Sequence, residues 1–238
     1  MHTVKKPLQL LALAGLILSG CTKEVMTGSG PVISQERTAG TFSKVSIDGP
    51  FYVHLTESAG AGISVSAEEN LMRVIETYVT DSTLHISLKK DVRLNFFKDI
   101  HINVKNPAYK AISFSGSGAI DNTDTLHTDH FTYNSDGSGN ARFTILAETL
   151  ETAVNGSGNI SLYGNAATYN SNINGSGNIG ALDLTCIDAN ISVNGSGGQT
   201  VNVIQSLDVS IKGSGSVRYT GNPVISSEIA GSGRITQL

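Results

Sequence analysis

The chain has 238 residues, 39% hydrophobic and only 15% charged, with 26 glycines, two cysteines and no tryptophan. Its formal net charge is −4 and its basic residues form no stripe, which excludes recognition of nucleic-acid phosphates. Low charge with abundant Gly, Ser, Thr and Asn borders on a disordered composition, but regularly placed β-branched and aromatic residues argue for a folded core.

At the N-terminus, Lys5 and Lys6 precede an apolar run from Leu8 to Leu18. The run is shorter than the roughly 20 apolar residues a transmembrane helix needs, and it fits a secretory signal peptide. It ends Leu18-Ser19-Gly20-Cys21, which resembles the bacterial lipobox. By that resemblance residues 1–20 are removed, and Cys21 becomes the first mature residue and carries lipid into a membrane. Thr22 is compatible with outer-membrane sorting, and Lys23-Glu24 resembles the charged surface-export tags of such bacteria. Cys186 has no second cysteine left to pair with and reads as a small buried thiol. Residues 21–37 are poor in apolar side chains and contain Gly28-Ser29-Gly30-Pro31, so they are expected to be a flexible tether.

Residues 38–114 alternate with a period of two. Val45 and Ile47, then Phe51, Val53 and Leu55, then Ile63 and Val65, Leu84 to Leu88, and Ile100 to Val104 each mark a half-buried strand. Asp48-Gly49-Pro50 is a turn signal, and Glu68 to Ile75 is the one stretch compatible with a short helix. This part shows no fixed repeat.

Residues 115–238 do repeat. Gly-Ser-Gly recurs with its glycines at Gly116 and Gly118, Gly137 and Gly139, Gly156 and Gly158, Gly175 and Gly177, Gly195 and Gly197, Gly213 and Gly215, and Gly231 and Gly233, at intervals of 18 to 21 residues. Two residues before each copy stand Phe114, Ser135, Val154, Ile173, Val193, Ile211 and Ile229, and one extra residue near Asp136 would repair the break at Ser135. Two residues after stand Ile120, Ala141, Ile160, Ile179, Gln199, Val217 and Ile235. Such a unit cannot bury its apolar face alone and must stack. The expectation is an all-β fold, a parallel β-solenoid of about seven rungs spaced about 4.8 Å apart, preceded by an irregular β-rich half. The glycines turn the corners where φ must be positive and let rungs stack closely. The corner serines are expected to ladder from Ser117 to Ser232, and Asn155, Asn174, Asn194, Asn140, Asn159 and Asn178 to form amide ladders.

Catalytic and cofactor chemistry finds little support in the residues. The Gly-Ser-Gly turns lack the following helix, lysine and third glycine of nucleotide-binding loops. His127 and His130 with Asp124 and Asp129 form the most metal-like cluster, but they lie in a stretch that reads as a solvated loop, so no metal or other cofactor is expected. Tyr163, Tyr169 and Tyr219 are candidates to touch sugar rings, with a place in the core as the simpler explanation.

Asn155-Gly156-Ser157-Gly158-Asn159-Ile160, repeated as Asn174-Gly175-Ser176-Gly177-Asn178-Ile179, resembles the family named "putative auto-transporter adhesin, head GIN domain". Phe42 to Gly49, Leu84-His85-Ile86 and Ile100 to Val104 follow that family's order, so the resemblance covers residues 38–238. It implies a right-handed β-helix, a location in the cell envelope of Bacteroidetes-type bacteria, and no carried-over catalytic residues. Three functions follow as alternatives. The first is a non-enzymatic adhesin that binds glycan or protein. The second is a structural component of the outer membrane that self-associates through the C-terminal solenoid edge. The third is a polysaccharide-active β-helix enzyme, which would need two carboxylates within about 10 Å in a groove.

Overall fold

The computed structural model describes residues 24–238, so Cys21 and residues 1–20, expected as a signal peptide, lie outside the described residues. Strands β1 (Glu24–Thr27), β2 (Val32–Arg37), β3 (Lys44–Asp48), β4 (Phe51–Glu57), β5 (Gly62–Glu68), β6 (Ile75–Thr80), β7 (Thr83–Leu88), β8 (Val92–Asn95) and β9 (Ile100–Asn106) precede the repeat. Strands β10 (Ala111–Gly116), β11 (Ala119–Asn122), β12 (Leu126–Gly137), β13 (Asn140–Gly156), β14 (Asn159–Gly175), β15 (Asn178–Gly195), β16 (Gly198–Gly213), β17 (Ser216–Thr220), β18 (Val224–Gly231) and β19 (Arg234–Gln237) build it. The stretch expected as a short helix forms only a single 3-10 turn, Glu69–Leu71.

The repeat is a parallel β-solenoid. Gly137 pairs with Gly156, Gly156 with Gly175, Gly175 with Gly195, Gly195 with Gly213 and Gly213 with Gly231. Val154, Ile173, Val193 and Ile211 therefore form one interior column, each with 0% of its surface exposed. Burying each such side chain is worth about 1.5–3 kcal/mol. The return leg, which reads as loose in sequence, is strand as well, because β13 to β16 run unbroken from one corner to the next.

At a typical corner, Gly156 has φ +135° and a Cβ there would lie 2.4 Å from the Gly137 carbonyl oxygen. Gly158 has no positive φ, yet its Cβ would lie 2.5 Å from the Gly139 carbonyl oxygen. The first glycine thus answers both to torsion and to stacking, the second to stacking alone. The serine ladder is a correction: among the corner serines from Ser117 to Ser232, only Ser214 and Ser232 bond hydroxyl to hydroxyl, at 3.0 Å. The inter-rung bonds run instead through the backbone, as where Ser157 N donates to Gly137 O at 2.9 Å. The asparagines do ladder: Asn194 donates to Asn174, Asn174 to Asn155 and Asn178 to Asn159, at 3.0, 3.0 and 3.2 Å.

Two irregularities resolve differently from the sequence reading. No extra residue interrupts the register near Asp136, since Phe114 pairs with Ser135 and Ser135 with Val154. Ser135 points inward at 1% exposure, and the Phe114 ring spreads toward the next corner, where a Cβ on Gly139 would lie 1.9 Å from it. A large side chain above a small one fills the layer. Gln199 also points inward at 2% exposure, satisfied by Ser171, whose hydroxyl donates to it at 2.7 Å.

Residues 38–114 belong to the same solenoid, stacked out of chain order. Strand β3 pairs in parallel with β10 on one side and β7 on the other, and β4 likewise with β11 and β9. Asp48 pairs with Ser115, so the turn at Gly49, φ +144°, sits directly beneath Gly116 and continues the corner column. Antiparallel strands close this end: β5 pairs with β9, β2 with β5, and β6 with β7.

The expected tether at 21–37 is overturned over its described part. Strand β1 pairs with β8 and buries Met26, and β2 is an edge strand held by the Arg37 guanidinium, which donates to the carbonyls of Ile75 and Met72 at 2.8 and 3.2 Å. Gly28-Ser29-Gly30 docks beside the 3-10 turn, where Ser29 N donates to Asn70 at 2.8 Å. Both faces of β2 are exposed, so its sequence carries no apolar alternation to reveal it.

Candidate functional site

The strands that follow the corners present an outward strip two columns wide. His101, Tyr52, Ala119, Asn140, Asn159 and Asn178 stack in one column, and Asn103, His54, Asp121, Arg142 and Ser161 in the other. Neighbouring members lie about 4.8 Å apart. Tyr52 and His101 hold their rings 5.4 Å apart, and with His54, Asn103 and Asp121 they line a recess of about 230 Å³. His54 Nδ1 bonds to the Asp121 carboxylate, and its Nε2 lies 2.6 Å from the Thr123 hydroxyl. Farther along, the Arg142 guanidinium lies 4.8 Å from the centre of the Tyr163 ring. The strip thus combines planar rings with a carboxylate, a guanidinium and a row of amides, the groups that stack on and hydrogen-bond to a polyhydroxylated ligand.

Thr123, His54 and Asp121 share the connectivity of a nucleophile, base and orienting acid. The nearby donors are committed elsewhere: Thr123 N donates to Leu55 O at 3.2 Å, and Asn122 Nδ2 to the carbonyls of Thr144 and Asp124. Committed in this way, neither group is free to donate to an oxyanion beside the Thr123 hydroxyl.

The strands before the corners face a shallow groove of about 520 Å³, lined by small polar side chains including Thr132, Asn170, Asn190 and Ser192. Its two carboxylates, Glu151 and Asp208, stand three rungs apart, about 14 Å, too far to act jointly on one glycosidic bond. A third recess of about 520 Å³ is aliphatic, with Leu146, Ile187 and Ile204 exposed by 39%, 38% and 55%. Asp129 and Glu148 at its rim both face solvent, not the apolar setting a general acid requires.

His127 and His130 lie in strand β12 rather than in a loop. They reach for different partners, His127 toward Glu57 at 3.4 Å and His130 toward Glu151 at 3.6 Å. Among the described residues no three His, Cys, Asp or Glu side chains converge as a metal site. Tyr169 is fully buried, where its hydroxyl meets Thr152 at 3.0 Å and accepts from Gln199 at 3.2 Å, and burial pushes its pKa up to about 12. Tyr219 is buried at 9% exposure, which leaves Tyr163 of the three tyrosines at the surface. Cys186 is free and buried, and burial raises its thiol to about 12.

Sequence reading passed over Tyr52, His54, His101 and Asp121. Their only signal is an outward place between buried neighbours, as Tyr52 has between Phe51 and Val53. What brings them together is the out-of-order stacking of β9, β4 and β11.

Solved structures share this architecture. A protein from Bacteroides fragilis described as a "putative adhesin" is 26% identical with a TM-score of 0.84, covering 90% of this chain and 100% of its own. One from Parabacteroides distasonis is 20% identical with a TM-score of 0.75, over the same shares. A third, from the same species and described as a "putative lipid binding protein", is 23% identical with a TM-score of 0.76, again over 90% and 100%. No curated protein matches the chain. The family model described as "Putative auto-transporter adhesin, head GIN domain" matches residues 41–223, and the chain belongs to that family.

Proposed function

We propose that this protein is held in the outer membrane by lipid on Cys21 and presents its solenoid as a rigid adhesion module, binding glycan along the strip from His101 and Tyr52 to Asn178. The observation that carries the reading is the strip itself, where ring faces, the His54–Asp121 pair and the Asn140–Asn159–Asn178 amides occupy successive rungs at a constant spacing. A flat polar ladder suits an extended chain of sugars better than a compact metabolite. Membership in an adhesin-type family supports adhesion over catalysis.

A glycan array probed with the mature chain carrying Cys21→Ser tests the reading. Binding should fall at least about tenfold with Tyr52→Ala or with His54→Ala, the loss of one good contact of about 1.4 kcal/mol or more. It should be unchanged with Asn190→Ala, which lies in the other groove. Equal binding by all three variants would remove the strip as the site. Fatty-acid labelling abolished by Cys21→Ser, and protease shaving of intact cells, test the anchor and the exposure.

A structural role in the outer membrane is the second reading. The exposed last rung favours it, since an unpaired strand edge invites assembly.

A further inference from the structure

The two ends of the solenoid are built differently. At one end β5, β2 and β6 close the stack with antiparallel strands. At the other, among the described residues, β18 hydrogen-bonds only back to β16, and β19 only back to β17. The inward positions Ile225, Ile229 and Ile235 continue the columns of Leu207, Ile211 and Val217, which are exposed by at most 1%. Yet Ile225 and Ile229 are exposed by 40% and 43%, and Val224 beside them by 80%. Among the described residues, nothing covers the interior of the solenoid on this rung.

We infer that this open end docks against the same end of a second copy, in a two-fold pair centred on the corner at Ser232. A two-fold axis through that corner, perpendicular to the solenoid axis, lays β18 of one copy against β19 of the other and reverses their direction. The strands can then form an antiparallel ladder. With Ser232 on the axis, residues equally far on either side of it face each other. Ile229 meets the partner's Ile235 and Ser227 meets the partner's Gln237, each an inward position against an inward position. Glu228 falls diagonally opposite the partner's Arg234, twice by symmetry, so charges of opposite sign are within reach across the seam. The register is self-complementary in core and in charge, and the contact closes as an isologous dimer.

The pairing also has a direction, which rests on the adhesion reading. Strand β1, which begins three residues after Cys21, lies at the capped end through its pairing with β8. The nine stacked rungs place the open end about 40 Å away. A tail-to-tail pair would therefore carry its two anchors at opposite ends of a doubled rod, the geometry of copies on facing membranes. The partner at this end is another copy of this chain, a homophilic contact separate from glycan binding along the strip.

The test uses the mature chain with Cys21→Ser. Sedimentation velocity across a concentration series should show monomers and dimers only, with Ile229→Lys weakening association at least about tenfold. Glu228→Lys and Arg234→Glu should each weaken it, and the double variant should restore it. Chains carrying Ile229→Cys mixed with chains carrying Ile235→Cys should form a disulfide-linked dimer that neither forms alone. Beads coated through the N-terminus should cluster, whereas beads coated through the C-terminus should not. A monomer at every concentration, open-ended polymers, or either cysteine variant cross-linking by itself would overturn the proposal. Glycan binding unchanged in Ile229→Lys would separate its failure from failure of the strip.

Discussion

The two halves of the solenoid share one sheet and one corner column, but they distribute their chemistry oppositely. From β12 onward the outward columns carry mostly Asn, Ser and Thr, repeated because each must match the rung above and below. In β4, β9 and β11 the outward positions carry Tyr52, His54, His101 and Asp121, each occurring once. All three His–carboxylate contacts found among the described residues, at His54, His127 and His130, also involve this part or the rungs next to it. Repetition stabilises a rod and constrains its surface, whereas the non-repeating rungs are free to differ and can carry a site.

The sharpest way to break the comparison is at the corners. Gly175→Val places a branched side chain at φ +135° and within 2.4 Å of the Gly156 carbonyl oxygen. A loss of about 3 kcal/mol or more is expected in chemical denaturation. Gly49→Val, in the non-repeating half, should cost less if its corner can adjust, since there the new Cβ would meet the Phe51 ring rather than a backbone carbonyl. Gly180→Ala should be near neutral, because its φ is ordinary and its nearest neighbour is 3.8 Å away.

Buried polar groups give the next contrast. Tyr169→Phe removes the partner of Thr152 and Gln199 and should cost about 1–2 kcal/mol. Tyr133→Phe should cost almost nothing, since the Tyr133 hydroxyl is buried without a hydrogen-bond partner. A larger loss at Tyr133 than at Tyr169 would mean that the polar interior is arranged differently.

The smallest effect is set by pH. Burial raises Cys186 from 9.0 to about 12, so its thiol is neutral in the native state while the unfolded thiol ionises. The stability this contributes is fully present below about pH 9 and is lost as pH rises toward about 12. Cys186→Ala should flatten that part of the stability profile, and the native thiol should resist alkylation at neutral pH. Rapid labelling without unfolding would contradict its burial.

The repeat was legible because three sequence columns agree and the solenoid converts each into a physical column. Ser135 and Gln199 looked like faults in that pattern, yet both point inward, one beneath the Phe114 ring and the other hydrogen-bonded to Ser171. Period alone cannot distinguish a fault from a compensated core residue. Strand β2 was illegible for the opposite reason, since a strand exposed on both faces has no apolar alternation and is held by its ladder and by Arg37. The His54–Asp121 contact joins residues 67 positions apart. It depends on β4 lying between β9 and β11, an order that strand propensities do not encode.

That order is the claim on which the rest depends, and cross-linking tests it directly. Ser46 in β3 and Ser113 in β10 are paired across the junction of the two halves. Ser46→Cys with Ser113→Cys should form a disulfide readily in the folded monomer, whereas Ser46→Cys with Ser115→Cys, two residues out of register on the same face, should not. No disulfide in the first pair, or equal yields in both, would contradict a solenoid that runs continuously from Gly49 to Gly231.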